Sequence, residues 1–518
     1  MKKIITALAA LFIALSFSCG LSGCLLFKPK NKISYSLNSD GESYSVSHVE
    51  HNLFKNAKEL VIPETHEGLP VTGIRSGAFT YQMIAAPVQE LRFEKLTLPK
   101  SIKFIDKGAF LEGTGSVYFG GTLEDWFNID FGSSPLRGGL YLNGKRLTEF
   151  KVPEGITEIP DYVFSGCIGM TTVEIPEGIT KIGNYAFYDG YIKNLSLPHS
   201  LESIGDNAFD WCYGLNTLEI PEGVTSIGNH AFEFCGIRQL SLPETLNRVG
   251  DYAFRSNSFE SLTIPTALTE WGRYSFDDCD IVNLTLPEGL VTVGEGAFDG
   301  NILTELTIPS TLTDWGGGAF RNCHIEKLVL SDGLKTIGDG AFEVYVTGHH
   351  EILDVITIPQ SVESIGKNAF ANLHIEKLVL NEGLKTIGFG AFEVASRDYY
   401  EMIEEVTIPK SVESIGNYAF KGRRIGKLVL NEGLKTIGRC AFQLNGSGHD
   451  DILEELTIPQ SVTIIYESAF EGRKIRKLNL PDSVLVRTDA FKDCEVTDGN
   501  EEEIPDDNND ENPDGNNE

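Results

Sequence analysis

Cysteine is the most reactive side chain in this chain of 518 residues, and six of the seven cysteines that follow residue 24 stand three positions after a phenylalanine. These are Cys167, Cys212, Cys235, Cys279, Cys323 and Cys494; Asn257, Asn301 and Asn445 hold the same position elsewhere. If successive copies lie one strand spacing apart, Cys212 and Cys235 come within the ~4.4–6.8 Å Cα window of a disulfide. A stacked ladder seldom supplies the required torsion, so buried free thiols are expected. No CxxC pair or Cys/His cluster suggests zinc. Cys440 stands where other copies carry Gly or Asn, and no role is assigned to it.

The ten histidines are scattered, and none pairs with Ser or Cys in a catalytic motif. His349-His350-Glu351 and His449-Asp450-Asp451 fall in equivalent segments of different copies, too far apart to share one metal. Those segments, with a third, are more informative as binding loops. Val344 to Leu353 carries Tyr345, His349 and His350; Val394 to Ile403 carries Arg397, Tyr399 and Tyr400; Leu444 to Leu453 carries His449 and Asp450. Insertions that recur on one edge while their contents diverge suit recognition of a partner, and drift in unconstrained loops is the alternative. Trp126 is a further candidate contact. Trp271 and Trp315 replace core Ile or Val and read as core fillers.

Two rows accompany the loops. Thr263, Thr285, Thr307, Val329, Thr357, Val379, Thr407, Val429 and Thr457 form a flat uncharged strip, suited to an extended ligand or simply to stabilising a sheet. Lys377, Glu405, Lys427, Glu455 and Lys477 alternate in sign and read as a salt-bridge ladder. No P-loop, GxSxG motif, metal triad or carboxylate pair is identifiable by spacing. No catalytic residue, metal or cofactor is therefore assigned, and the chain reads as non-enzymatic.

Net charge narrows the partners. The chain carries 43 Lys and Arg against 74 Asp and Glu, a balance of −31. Nucleic acid and anionic membrane surfaces need a cationic face, which this composition opposes. Residues 497–518 hold ten acids and no base and are expected to be disordered. At the other end, Lys2 and Lys3 precede the apolar run Ile4 to Phe17, which is too short for a ~20-residue span and fits a signal segment.

The elements that position these residues come from repetition. Seventeen anchor phenylalanines, mostly in the dipeptide Ala-Phe, run from Phe79 to Phe491. From Phe164 to Phe342 they recur every 22 or 23 residues; after His324 the spacing alternates between 22 and 28, a 50-residue super-repeat. Such a period means a solenoid in which each coil covers the apolar face of the next. Leu262-Thr263-Ile264-Pro265 shows one strand, with Leu and Ile inward, Thr outward and Pro ending the ladder. Fourteen of the 21 prolines occupy this position. A second apolar pair such as Val224 and Ile227 predicts another short strand. The glycine that follows, as in Gly183, Gly228 or Gly438, is expected to make a left-handed turn. Twelve of the 17 coils carry it.

The consensus L-x-I-P-x-x-V-x-x-I-G-x-x-A-F-x-x-C over Leu60 to Cys494 resembles the BspA-type leucine-rich repeat family of bacterial surface proteins. The stretch Gly121-Thr122-Leu123-Glu124-Asp125-Trp126 through Tyr141-Leu142-Asn143-Gly144 is similar to an insertion found in that family. The Cys/Asn position is similar to the buried turn residue of leucine-rich repeats that meets free backbone groups. Leu21-Ser22-Gly23-Cys24 resembles the lipobox of bacterial lipoproteins, which would make Cys24 the lipidated mature N-terminus; an ordinary secretory signal is the alternative. The resemblance implies exposure on the cell surface and adhesion to host or neighbouring-cell molecules.

The expected architecture is a β-solenoid, a leucine-rich-repeat-like stack of about 17 coils with short parallel strands and few helices. Its parts are a signal peptide (1–23), tether (24–33), N-terminal cap (34–72), solenoid (73–496, with an insertion at about 111–150) and acidic tail (497–518). The reading is a lipid-anchored protein on the extracellular face of the cell envelope that binds an extracellular protein or glycan. A non-binding envelope spacer and a glycan-degrading solenoid enzyme are the alternatives.

Overall fold

The computed structural model describes residues 32–50, 58–82, 88–90, 93–110, 113, 115–345, 352–395, 402–444 and 452–496. They form a β-solenoid whose coils contribute strands to two columns. In one column Glu158–Ile159, Lys181–Ile182, Ser203–Ile204, Ser226–Ile227, Arg248–Val249 and Glu270–Trp271 make a six-stranded parallel sheet. In the other, Ser261–Thr263, Asn283–Thr285, Ile302–Ile308 and His324–Leu330 make a four-stranded one. Register sets like over like: Ile182 faces Ile204, which faces Ile227.

Each coil follows from its residue types. Leu262 and Ile264 are buried while Thr263 is exposed, the period-2 pattern of a strand with one face inward. Pro265 cannot extend the ladder, and its carbonyl instead accepts from Leu268 N–H at 3.2 Å, turning the chain toward the second strand. Inside, the anchor phenylalanines from Phe164 to Phe491 stack continuously, with centroid separations between 5.0 Å (Phe392–Phe420) and 5.8 Å (Phe320–Phe342). The rings are buried between their neighbours, and from Phe164 to Phe470 the backbone N–H reaches the residue before the next anchor, an alanine except for Ser275, as Phe187 N does to Ala208 O at 2.8 Å.

The turn glycine has a different reason from the one expected. Gly183, Gly228 and Gly438 do not have positive φ. Gly228 N–H donates to Ile204 O at 2.9 Å, and a Cβ there would lie 2.6 Å from Asp206 N. Glycine is required by the approach of one backbone to the next, not by handedness. The left-handed residue comes two positions later and is usually not glycine: Tyr185 (φ 57°), His230 (φ 54°), Tyr252 (φ 56°) and Cys440 (φ 53°) all adopt it.

At the N-terminal end Lys32–Leu37 and Tyr44–Glu50 form a hairpin around Asn38-Ser39-Asp40-Gly41, and the second strand pairs in parallel with Leu69–Ile74. The segment read as an insertion is woven into the stack. Gly115–Phe119 and Leu136–Leu142 pair in parallel, and Asp130–Phe131 pairs with Phe104–Ile105. Between them lies a five-residue helix, Leu123–Phe127, capped by reciprocal hydrogen bonds between Thr122 and Asp125. Trp126 and Phe127 continue the aromatic core where the ladder has no anchor phenylalanine between Phe110 and Phe164.

The two columns differ in continuity. Thr336–Ile337 to Leu485–Val486 form an unbroken seven-stranded sheet, but the opposite column splits into pairs: Ile352–Ile358 with His374–Leu380, and Met402–Ile408 with Arg424–Leu430. The six extra residues of each 28-residue step enter between the anchor phenylalanine and the following strand. The same column also divides into pairs at the regular spacing, Thr172–Glu174 with Asn194–Ser196 and Thr217–Glu219 with Gln239–Ser241.

Candidate functional site

The cysteines are structural. Cys212 Sγ–H donates to Phe187 O at 3.3 Å, and Cys235 and Cys279 donate to Phe209 O and Phe254 O at 3.0 Å. Asn257 and Asn301 do the same with their side-chain amides, toward Phe232 O at 2.9 Å and Phe276 O at 3.0 Å. Each of these five residues gives the anchor carbonyl of the preceding coil a side-chain donor inside an apolar stack. Burial pushes the Cys167 thiol up to about 11 and the Cys212 thiol up to about 12, which removes any nucleophilic role at neutral pH. Cys212 and Cys235 are both free, each engaged with a different carbonyl.

Two members of this column escape a reading by residue type. Arg423 and Arg473 stand three positions after Phe420 and Phe470, where a long cation would not be sought. Arg473 is 2% exposed; its Nε donates to Phe442 O at 2.6 Å and its Nη2 to Arg423 O at 2.7 Å. Arg423 likewise reaches Phe392 O at 2.7 Å and Leu373 O at 2.6 Å. The guanidinium fork spans two coils where Cys or Asn spans one. Column position was the available signal.

Of the candidate contacts, Tyr345 is 58% exposed, with its N–H bonded to Asn322 Oδ1 at 2.8 Å and the Arg321 guanidinium 5.0 Å from its ring. Cys24, His349, His350, Arg397, Tyr399, Tyr400, His449 and Asp450 lie outside the described residues. Trp126 is a correction: it is 0% exposed, its indole N–H donates to Val163 O at 2.8 Å, and it packs against Phe119 and Phe131. The helix that carries it turns it inward to fill the gap in the phenylalanine ladder, so it cannot touch a ligand. Trp271 and Trp315 do pack edge-on against that ladder.

At the base of the first insert, the split between His324–Leu330 and Ile352–Ile358 opens a groove of about 880 Å³, lined among others by Lys327, Val329, Asp332, Val355, Thr357 and Gln360. The Thr/Val strip runs through it: Thr357 is exposed and Val329 half-buried. Charged pairs flank the strip at Glu305–Lys327 (2.8 Å), Glu405–Lys427 (3.1 Å) and Glu455–Lys477 (2.8 Å). Lys377 faces Val355 across its ladder, so the alternation consists of separate pairs within each 22-residue step. Among the described residues no group of His, Cys, Asp and Glu is placed to hold a metal ion, and no helix is long and apolar enough to cross a membrane.

A family model for the BspA type leucine rich repeat region matches residues 139–259, 226–347, 348–399 and 396–498. No curated protein matches the chain. Among solved structures, a leucine-rich repeat protein from Bacteroides ovatus is 18% identical with a TM-score of 0.43, over 90% of this chain and 91% of that one. A leucine rich cell surface protein from Faecalibacterium prausnitzii is 18% identical with a TM-score of 0.38, over 77% and 93%. A leucine-rich repeat protein from Eubacterium ventriosum is 19% identical with a TM-score of 0.34, over 63% and 86%.

Proposed function

The chain belongs to the BspA type leucine-rich repeat family, and from that premise we propose that it is a lipid-anchored cell-surface protein whose solenoid binds an extracellular protein. The observation that carries this reading is the groove at the first insert. There the strands on either side of the insert, His324–Leu330 and Ile352–Ile358, are not paired and an open groove lies between them, while Thr336–Ile337 and Ser364–Ile365 of the other column stay paired. An open groove beside recurring loops on a rigid frame is what a binding face needs and a spacer does not. The core side chains are consumed by stacking, which leaves recognition to the strip, the charged pairs and the insert loops. Tyr345 stands at the root of the first loop, exposed and stiffened by Arg321. Adhesion to a host or neighbouring cell is the biological role this supports, with glycans as the second ligand class and Cys24 as the anchor.

The test is binding of the purified protein to a panel of matrix proteins, mucins and glycans. A saturable partner lost on joint deletion of the three insert loops, with the melting temperature little changed, is the expected result. Binding that survives the deletion would move the site elsewhere on the solenoid. Silence across the panel would favour the spacer.

A further inference from the structure

Two columns flank the anchor phenylalanines, and one of them has a gap. Two positions before the anchor, successive coils place Tyr162, Tyr185, Asn207, His230, Tyr252 and Tyr274, all in the left-handed conformation. Their rings stack along the solenoid: Tyr162 on Tyr185 at 4.8 Å, His230 on Tyr252 at 5.1 Å, Tyr252 on Tyr274 at 5.5 Å. Asn207 alone interrupts the series, so Tyr185 and His230 flank the place of one missing ring. They stand two coil steps, about 10 Å, apart, and a flat group between them would sit about 5 Å from each ring centroid.

Both sides of the gap are acidic. Three positions before the anchor run Asp161, Asn184, Asp206, Asn229 and Asp251, each accepting the next coil's backbone N–H; Asp206 Oδ1 takes Asn229 N at 2.7 Å. These residues and the neighbouring rings line a shallow groove of about 320 Å³ centred on Asn207, with no Lys or Arg among its lining.

One position after the anchor runs a second column, Tyr188, Asp210, Glu233, Arg255 and Asp277, whose side chains meet those two before the anchor of the same coil. His230 Nδ1 lies 2.5 Å from Glu233 Oε2, the Tyr185 and Tyr188 rings are 5.6 Å apart, and the Arg255 guanidinium covers the Tyr252 ring at 5.4 Å. By the same geometry Asp210 stands behind Asn207. It is 5% exposed, and its Oδ1 is buried without a hydrogen-bond partner. Other carboxylates of this column have internal partners. Arg255 lies 3.6 Å from Glu233 and 2.9 Å from Asp277, and Asn322 donates to Asp299 at 2.9 Å. Asp210 has Tyr188 on one side and the Glu233 carboxylate on the other.

We propose that the gap at Asn207 is a slot for a guanidinium group, presented by an arginine side chain of a protein partner and held between the faces of Tyr185 and His230, with Asp206 and Asp210 accepting its N–H groups. This deepens the protein-binding reading above and rests on it for the source of the arginine. A guanidinium is planar, stacks on aromatic faces and offers a fork of donors to carboxylates. An ammonium has no flat face to fill the slot. A neutral ring would leave Asp210 unanswered, and an anion would meet the Asp column.

The experiment titrates the full-length chain in detergent micelles with N-acetylargininamide and N-acetyllysinamide, at low ionic strength and mildly alkaline pH, following the ring protons by NMR. Saturable binding of the arginine probe, roughly tenfold tighter than the lysine probe, is expected. Asn207→Tyr, which completes the stack with a residue that Tyr185 and Tyr252 show to fit this backbone, should abolish binding with no loss of stability. Asp210→Asn should weaken it about tenfold. Equal binding of the two probes, or undiminished binding by Asn207→Tyr, overturns the slot while leaving the protein-binding reading to its own panel. Arginine-selective titration alongside a blank panel would uphold the slot and count against that reading.

Discussion

Replacing Asp210 with asparagine removes a carboxyl group whose ionisation the fold opposes. Burial first, then the facing charge of Glu233, push its pKa up to about 8, against ~3.9 for an aspartate in an unfolded chain. Below about pH 3 the group is protonated in both states and contributes nothing to pH dependence. As pH rises from there, the unfolded chain releases the proton and the folded chain keeps it, so stability is lost until pH passes the folded value. The slope is ~1.4 kcal/mol per unit at full effect, but a carboxyl that keeps some access to solvent should realise less, about 2 kcal/mol over the whole window. Tyr185, Tyr188, Asp189 and Glu233 share this neighbourhood, and His230 and Arg255 in turn hold Glu233. Their titration is common to both proteins, so the observable is the difference between wild type and Asp210→Asn. Urea unfolding at a series of pH values should give equal stabilities near pH ~3 and a variant more stable by about 2 kcal/mol near pH ~9. A difference that does not grow with pH would refute the argument that burial holds this carboxyl protonated. A wild type that is more stable at the alkaline end would mean that an internal cation answers Asp210.

Other perturbations test the stack and the anchor. Arg473→Met should cost about 3 kcal/mol in denaturant unfolding, because Phe442 O and Arg423 O lose their buried donor; Arg473→Asn should recover part of it, since Asn257 and Asn301 meet an anchor carbonyl the same way. Gly228→Ala should lower the urea midpoint by an amount equivalent to about 1–3 kcal/mol, with Gly228→Asn no milder, since the obstacle is contact with Asp206 rather than a left-handed backbone. Phe254→Ala, in the middle of the ladder, should cost about 3–5 kcal/mol by the same measurement. The wild-type protein should enter the detergent phase on temperature-induced partitioning and Cys24→Ala should stay in the aqueous phase; equal partitioning would remove the lipid anchor from the proposal.

Much of the coil was legible because its signals are local and repeat. Leu262, Thr263 and Ile264 declare a strand by alternation, Pro265 ends it, and seventeen phenylalanines set the period. The role of the cysteine column was legible through the resemblance to leucine-rich repeats, whose Cys/Asn turn residue meets free backbone groups. Arg423 and Arg473 occupy that same column, but a reading by residue type excludes cations from a core. Only the coordinates show that the fork reaches carbonyls two coils away. Trp126 failed for a related reason. An aromatic in an irregular segment looks available to a ligand, and nothing local announces that the segment is woven into the stack where the phenylalanine ladder would otherwise be empty.

The amino-acid sequence by itself determined the solenoid, its period, its inward and outward faces and the place of the inserts, because a residue in a stacked coil meets mainly its own equivalents one repeat away. Periodicity therefore encodes most of its contacts. The tertiary structure alone decided what happens between columns and across broken periods. The turn glycines answer to a neighbouring backbone rather than to their own φ, and one strand column divides into pairs while the other runs unbroken from Thr336–Ile337 to Leu485–Val486. Asp210 is left without a cation because Tyr188 and Glu233, rather than an arginine, are the residues stacked on either side of it. Those outcomes depend on which side chains the stacking brings face to face, and a single coil read along the chain does not contain that information.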